Sequence, residues 1–185
     1  MKRFVAILGL LSLFLLTGCP PTPSSAPGKV AVSQVSIAQS FAPQPVSDPL
    51  AFVNFGASEY KAVSREWLFN TVYPRYLHEL GKLGLFKDGK PRWTGTAQCD
   101  YFADKLKTVA QEQHFEDTFH SFNPSESPAV GVVWYSVGGN PSVRHAIVAA
   151  KLVDGTLIFV EPQHWRGQEV VLTETERRSI YFRRF

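Results

Sequence analysis

Val130-Gly-Val-Val-Trp-Tyr-Ser-Val137, Gly138-Gly-Asn-Pro141 and His145-Ala-Ile-Val-Ala-Ala-Lys-Leu-Val-Asp-Gly-Thr-Leu-Ile-Phe-Val-Glu161 decide how this chain folds. The first run is apolar and β-branched, which suits a strand. Gly138 to Pro141 breaks it. Residues 145 to 153 resume the strand pattern, Asp154-Gly155 is a hairpin turn, and Thr156 to Val160 returns. A two-residue loop pairs 153 with 156. His145 then opposes residue 164, one ladder step past Gln163, within a residue or two of register. Glu161 and Gln163 are both candidates to reach the imidazole. Glu169–Leu172 and Ser179–Phe182 are further candidate strands.

Upstream the pattern is helical. Ser58 to Lys82 places Tyr60, Val63, Trp67, Leu68, Val72, Tyr76, Leu77 and Leu80 on roughly one face, with Ser58 as cap and Pro74 expected to kink or split the helix. Gly81 and Gly84 fit its end, and Asp88-Gly89 is a turn. A second helix starts at Thr96 to Cys99 and runs to about His114, burying Phe102, Leu106, Val109 and Ala110. Residues 121–128 read as a loop. Helices first and antiparallel strands after them make an α+β domain, expected over 50–185, a length for one core.

The 185-residue chain opens on Met1-Lys2-Arg3, a thirteen-residue stretch from Phe4 to Leu16 that is apolar apart from Gly9 and Ser12, and Leu16-Thr17-Gly18-Cys19. The run is short for a membrane span and reads as an export signal. Leu-Thr-Gly-Cys resembles the bacterial lipobox. That resemblance implies a signal peptide over 1–18, lipid attachment (palmitate among the acyl chains) at Cys19, and a lipoprotein anchored in the bacterial cell envelope. Pro20 after the cysteine favours the outer membrane in a Gram-negative cell. Residues 19–49, rich in Pro, Ser, Ala and Gln, read as a tether. Its Val30–Phe41 stretch alternates enough to pack as a strand.

Nineteen basic residues face sixteen acidic ones; without Lys2 and Arg3 the balance is +1. No nucleic-acid partner is expected. Arg177, Arg178, Arg183 and Arg184 read as a solvated strand edge. With Cys19 lipidated, Cys99 is left without a disulfide partner, the arithmetic of a reactive thiol, an intermolecular bridge or a buried inert cysteine.

A thiol attacks as thiolate, and a free one ionises near 8.5. A helix N-terminus and an adjacent imidazolium both favour the anion. Cys99, at the expected start of the second helix, has His145 and then Glu161 downstream. His164 is a weaker alternative base, and Trp93 and Trp165 are candidate cleft walls or rim packing. Gln98 and Gln163 are possible supports: Gln98 for backbone packing in preference to an oxyanion donor, Gln163 as an acceptor for the ring.

Gln98-Cys99-Asp100-x-Phe102-Ala103, His145-Ala-Ile-Val148 and Phe159-Val-Glu-Pro-Gln163 resemble the papain-like cysteine peptidase superfamily, most nearly the C-terminal protease domain of the Marasmius oreades agglutinin. The resemblance covers roughly 94–163. It implies a papain-like fold with Cys99 as nucleophile, His145 as general base and acid, and Glu161 as the orienting acid. The implied function is a hydrolase of thiol protease or amidase type, acting through an acyl-thioester on a peptide or peptidoglycan substrate. Two alternatives stay open: a catalytically silent envelope binding protein, and a transglutaminase-type acyl transferase. Calcium goes with that agglutinin enzyme, but no acidic loop with metal-ligand spacing occurs here. No metal or other cofactor is expected.

Overall fold

The computed structural model describes residues 30–41, 53–95, 97–121 and 123–185. The expected signal, Cys19 and most of the expected tether lie outside these residues. In chain order the elements begin with β1 (Ala31–Val32), α1 (Gln34–Ser40), β2 (Val53–Asn54), β3 (Glu59–Lys61) and α2 (Arg65–Trp67). A π-helical turn (Leu68–Val72) leads into α3 (Tyr73–Lys82), followed by β4 (Phe86–Lys87), β5 (Lys90–Pro91) and α4 (Cys99–Thr118). Then come β6 (Glu126–Pro128), β7 (Val130–Ser136), β8 (Arg144–Lys151), β9 (Leu157–Glu161), β10 (Gln168–Val170), α5 (Glu174–Arg178) and β11 (Phe182–Arg184).

The principal sheet has the order β10-β9-β8-β7-β11-β2, antiparallel except for the parallel β11–β2 pair. Its middle strands are buried on both faces. Ala146, Val148 and Ala150 of β8 pack towards α3 and α4 with Trp67, Phe102 and Leu106. Ile147 and Ala149 face the opposite way, onto Ile37, Phe41, Phe159 and Phe185. Two covered faces explain why β7 and β8 read as apolar runs and not as an alternation. The α+β class expected from sequence is the observed one.

Several local expectations differ. The single helix over 58–82 is instead a strand, β3, followed by helical structure from Arg65, because Ser64 and not Ser58 caps it: Ser64 Oγ accepts from Trp67 N–H at 3.0 Å. Pro74 does not end the helical stretch, which is interrupted just before it by the π-turn. It sits in the first turn of α3, and the π-turn before it closes with Tyr73 N–H on Leu68 C=O, a register that accommodates the missing proline donor. Part of the expected loop 121–128 is β6, which pairs in parallel with β3. Val30–Phe41 does pack, but mainly as α1: Ile37 and Phe41 are buried against the sheet.

The arginines near the C-terminus do not line an edge, since β11 lies between β7 and β2. Arg184 pairs with Asp104, and Arg183 lies 5.0 Å over the Phe41 ring. The β8–β9 register is one residue short of the expected one. Val148 pairs with Val160 and Lys151 with Leu157, so His145 falls opposite Gln163 and not His164.

Candidate functional site

Three elements end at the same place. Cys99 is the first residue of α4, whose N-cap Gln98 is extended and makes no side-chain cap. The turn before it is set by Thr94, whose Oγ1 accepts from Ala97 N–H at 2.9 Å. The N-terminus of α4 favours negative charge on a thiol there, although one first-turn amide, Tyr101 N–H, donates to Asp100 Oδ1 at 2.9 Å. Cys99 is half-buried. His145 lies near the start of β8, before pairing with β9 begins at Val148, so its ring projects where the strands separate. Glu161 is the last residue of β9.

The imidazole joins the other two. His145 Nε2 lies 2.7 Å from Glu161 Oε2. A hydrogen bond to the Cys99 thiol is the largest influence on that group and, with the His145 charge and the Ala146 backbone N–H, holds it below its ordinary value. Burial and the Asp100 charge act against this without reversing it. With Nε2 engaged by Glu161, Nδ1 is the nitrogen left for sulfur. Burial alone would push His145 down, but its hydrogen bonds to Cys99 and Glu161 outweigh burial and lift the imidazole from 6.5 to about 9. The two shifts run in opposite directions and share one cause, the contact between the thiol and the imidazole. Both ring and carboxylate keep access to solvent, at 19% and 23% side-chain exposure for His145 and Glu161. Tyr135 stacks edge-on to the ring, centroids 5.9 Å apart, and burial holds its phenol up at about 12.

A layer of hydrogen bonds behind Glu161 fixes the acid. Its Oε1 accepts from Gln163 N–H at 3.0 Å. Tyr73 donates to a cluster of carbonyls, those of Glu161 at 3.2 Å, Pro162 at 3.1 Å and His164, while Tyr76 donates to Pro162 C=O at 2.7 Å. Sequence reasoning missed both tyrosines. Tyr76 carried only a helical-face signal and Tyr73 was not singled out at all, and nothing local links α3 to residues 161–164.

The structure brings Cys99, His145 and Glu161 together. Gln163 acts through its backbone N–H; its side-chain Nε2 is buried with no partner among the described residues. Gln98 serves as backbone N-cap. His164 is not in the cluster: its Nδ1 accepts from Arg166 N–H at 3.3 Å in the following turn. Trp93 and Trp165 are exposed, and the Arg166 guanidinium covers one face of Trp165 at 3.8 Å. Among the described residues no group of three or more His, Cys, Asp or Glu is placed to hold a metal ion.

No family model and no curated protein matches this sequence. Solved structures do. A complex of the Polyporus squamosus lectin PSL1a with E64 has a TM-score of 0.61 at 16% identity, covering 84% of this chain and 51% of the lectin chain. The same lectin bound to the human-type influenza-binding epitope Neu5Acα2-6Galβ1-4GlcNAc has a TM-score of 0.57 at 17% identity, covering 84% and 49%. The chain spans about half the length of the solved chains it matches.

These matches correct the resemblance drawn from the motifs. The fold is shared with chains named as lectins, not with a papain-like peptidase. The amide-cleaving thiol hydrolase and its labels, hydrolase and thiol protease, fall with that assignment, as does a peptide or peptidoglycan partner inferred from it. The lipoprotein and signal-peptide labels find no support in these comparisons either. The physical reason is that three short motifs describe how a thiol, an imidazole and an acid meet. They do not describe the surface that selects a ligand.

Proposed function

We propose that this chain is a ligand-binding protein whose binding cleft is built around an ion-paired thiol, with Cys99 as the reactive atom, His145 as its counter-ion and Glu161 as the group that orients the ring. The observation that carries this reading is the imidazole held between the thiol and the carboxylate. A thiolate kept ready at neutral pH engages an electrophilic carbon on a ligand: a sulfur–carbon bond forms, and the displaced group leaves with its electron pair. The Ala146 N–H supplies a donor to the sulfur.

Alkylation of Cys99 by iodoacetamide against pH tests this reading, with His145→Ala as comparison. A thiol of pKa about 8.5 is only about 1% ionised at pH 6.5. The ion pair removes that limit, and lower intrinsic nucleophilicity offsets part of the gain. The expected result is a rate plateau extending below pH 7 in the unaltered chain, falling about tenfold in His145→Ala. A rate that rises only near pH 8.5 and ignores His145 would sink the proposal.

Carbohydrate is the second reading of the ligand class, favoured by the sialylated trisaccharide bound to the lectin in one of the similar structures. Titration of the full chain with Neu5Acα2-6Galβ1-4GlcNAc checks it. Saturable heat that Cys99→Ala leaves intact assigns the glycan to another surface, and no heat removes this reading.

A further inference from the structure

His145 has two hydrogen-bonding partners in the thiol site, and both meet the edge of its ring. Nε2 lies 2.7 Å from Glu161 Oε2, and the Cys99 thiol is the other partner. Hydrogen bonds at imidazole nitrogens lie in the ring plane. Two of them leave one freedom, because the ring can still rock about the line joining its partners. The β9 ladder gives no support at this level, since its pairing with β8 begins at Val148.

A third contact comes from β7. Tyr135 is the cross-strand partner of His145, so the two side chains leave the sheet on the same face. Their ring centroids are 5.9 Å apart and the planes cross at 69°, an edge-on arrangement that aromatic pairs favour. Tyr135 is itself held. It is 6% exposed and belongs to the apolar cluster that includes Val133, Ile147 and Ile180. The chain just beyond it is clamped to α5: Ser136 N–H donates to Ser179 Oγ at 3.0 Å, and Gly138 N–H to Glu176 Oε1 at 3.0 Å. Val137 N–H closes the turn on Val143 C=O at 2.8 Å. These bonds pin the register of the Tyr135–His145 pair from the turn side. The phenol also feels the site's charges. Burial first, then Glu176, Glu161 and Cys99, hold it up at about 12, so it stays neutral beside the imidazole.

We infer that Tyr135 is a positioning residue of this site: its ring supplies the third contact, which keeps the imidazole in line with both the Cys99 sulfur and the Glu161 carboxylate. The role rests on the thiol site proposed above. The flat ring carries it, and the hydroxyl does not.

The test follows the ring-proton titration of His145 in the full chain carrying Cys99→Ala, where Glu161 is the partner that remains. Tyr135→Leu and Tyr135→Met fill the space without a flat edge. Each is expected to lower the His145 midpoint by about half a unit or more, because a carboxylate met less squarely favours the imidazolium less. Tyr135→Phe is expected to restore the midpoint. With Cys99 present, Tyr135→Leu and Tyr135→Met should slow iodoacetamide alkylation at pH 6.5 by about threefold or more, and Tyr135→Phe should recover the rate. A tyrosine that only fills the core would lower stability and move neither readout, and that result overturns the proposal. A loss in Tyr135→Phe as large as in Tyr135→Leu also overturns it, because the hydroxyl would then be the acting group. Should both shortened variants fail to fold, cross-relaxation between the Tyr135 and His145 ring protons of the unaltered chain decides. The contact must persist while the imidazole is charged, and its absence refutes the role. An unaltered chain without the low-pH alkylation plateau would remove the thiol reading alone, since the midpoint comparison is made without Cys99.

Discussion

A thiol and an imidazole in contact share one proton, and the residues around them decide where it rests. His145, raised to about 9, contributes stability that is fully present below 6.5 and is lost as pH rises through about 9. Cys99, lowered, contributes stability present above its ordinary value near 9 and lost as pH falls through its depressed value. The two are one contribution seen from either partner and are not added. The stability difference between the unaltered chain and Cys99→Ala is therefore expected to be largest around neutral to mildly alkaline pH and to shrink at both ends. Denaturant unfolding at a series of pH values measures it, and a difference that grew steadily towards acid would contradict the pairing. Glu161→Gln keeps a hydrogen-bonding shape at the ring and removes the charge. His145, followed by its ring-proton resonances, should titrate at least one unit lower in that variant, since a neighbouring opposite charge typically moves a pKa by about 1–3 units. At this scale the sequence was most legible. The order Cys99, His145, Glu161 and the Asp154-Gly155 turn were enough to bring the three together, with the register one residue out. What no motif contained was the ligand, and there the inference from motif to peptidase failed.

At the scale of elements, the thiol site depends on a helix that contributes no reacting group. Tyr73 and Tyr76 of α3 reach the carbonyls of residues 161, 162 and 164 and hold the end of β9 in place. Both phenols are held well above their ordinary value, by burial first and with the Glu161 charge adding to it, so they remain donors throughout the neutral range. Tyr73→Phe keeps the ring and leaves those carbonyls one donor short. Unfolding measurements should show a loss of about 1–3 kcal/mol. A merely structural tyrosine would stop there. A tyrosine that positions Glu161 would also shift the His145 titration downward, and the same resonances report it. An unmoved titration alongside lowered stability would confine Tyr73 to packing. This arrangement was illegible because it joins residues some ninety positions apart. The apolar spacing of 60–80 fitted one continuous helix, whereas Ser64 capping and the π-turn before Pro74 break that stretch into β3, α2 and α3. Local pattern fixes a face, but it does not say which distant backbone a tyrosine hydroxyl will find.

For the whole molecule, the decisive feature is a sheet covered on both sides, with the second cover drawn from the two ends of the described chain. Ile37 and Phe41 come from α1 and its C-cap, Phe185 is the last residue, and all three are buried. Phe185 packs its ring against Phe41 at 5.7 Å and Tyr60 at 6.2 Å, and its main chain bonds to Gly56 and Asn54. Gly131 of β7 lies directly beneath: a Cβ there would stand 2.6 Å from the Phe185 ring and 2.8 Å from the Arg184 carbonyl. The domain boundary read at residue 50 therefore excludes part of this cover, because a Pro- and Ser-rich composition hid one amphipathic turn. Phe185→Ala should cost about 3–5 kcal/mol, the range for a large aromatic removed from a core. Gly131→Ala should cost about 1–3 kcal/mol through overpacking, since its neighbours are a buried ring and backbone. A chain beginning at residue 50 should unfold at lower denaturant than one beginning at residue 29, with Cys99 alkylation in the folded state unchanged, because α1 covers the face away from α4. If the shorter chain were equally stable, Ile37 and Phe41 would be resting on the sheet without stabilising it, and the two-sided core would reduce to the helical side alone.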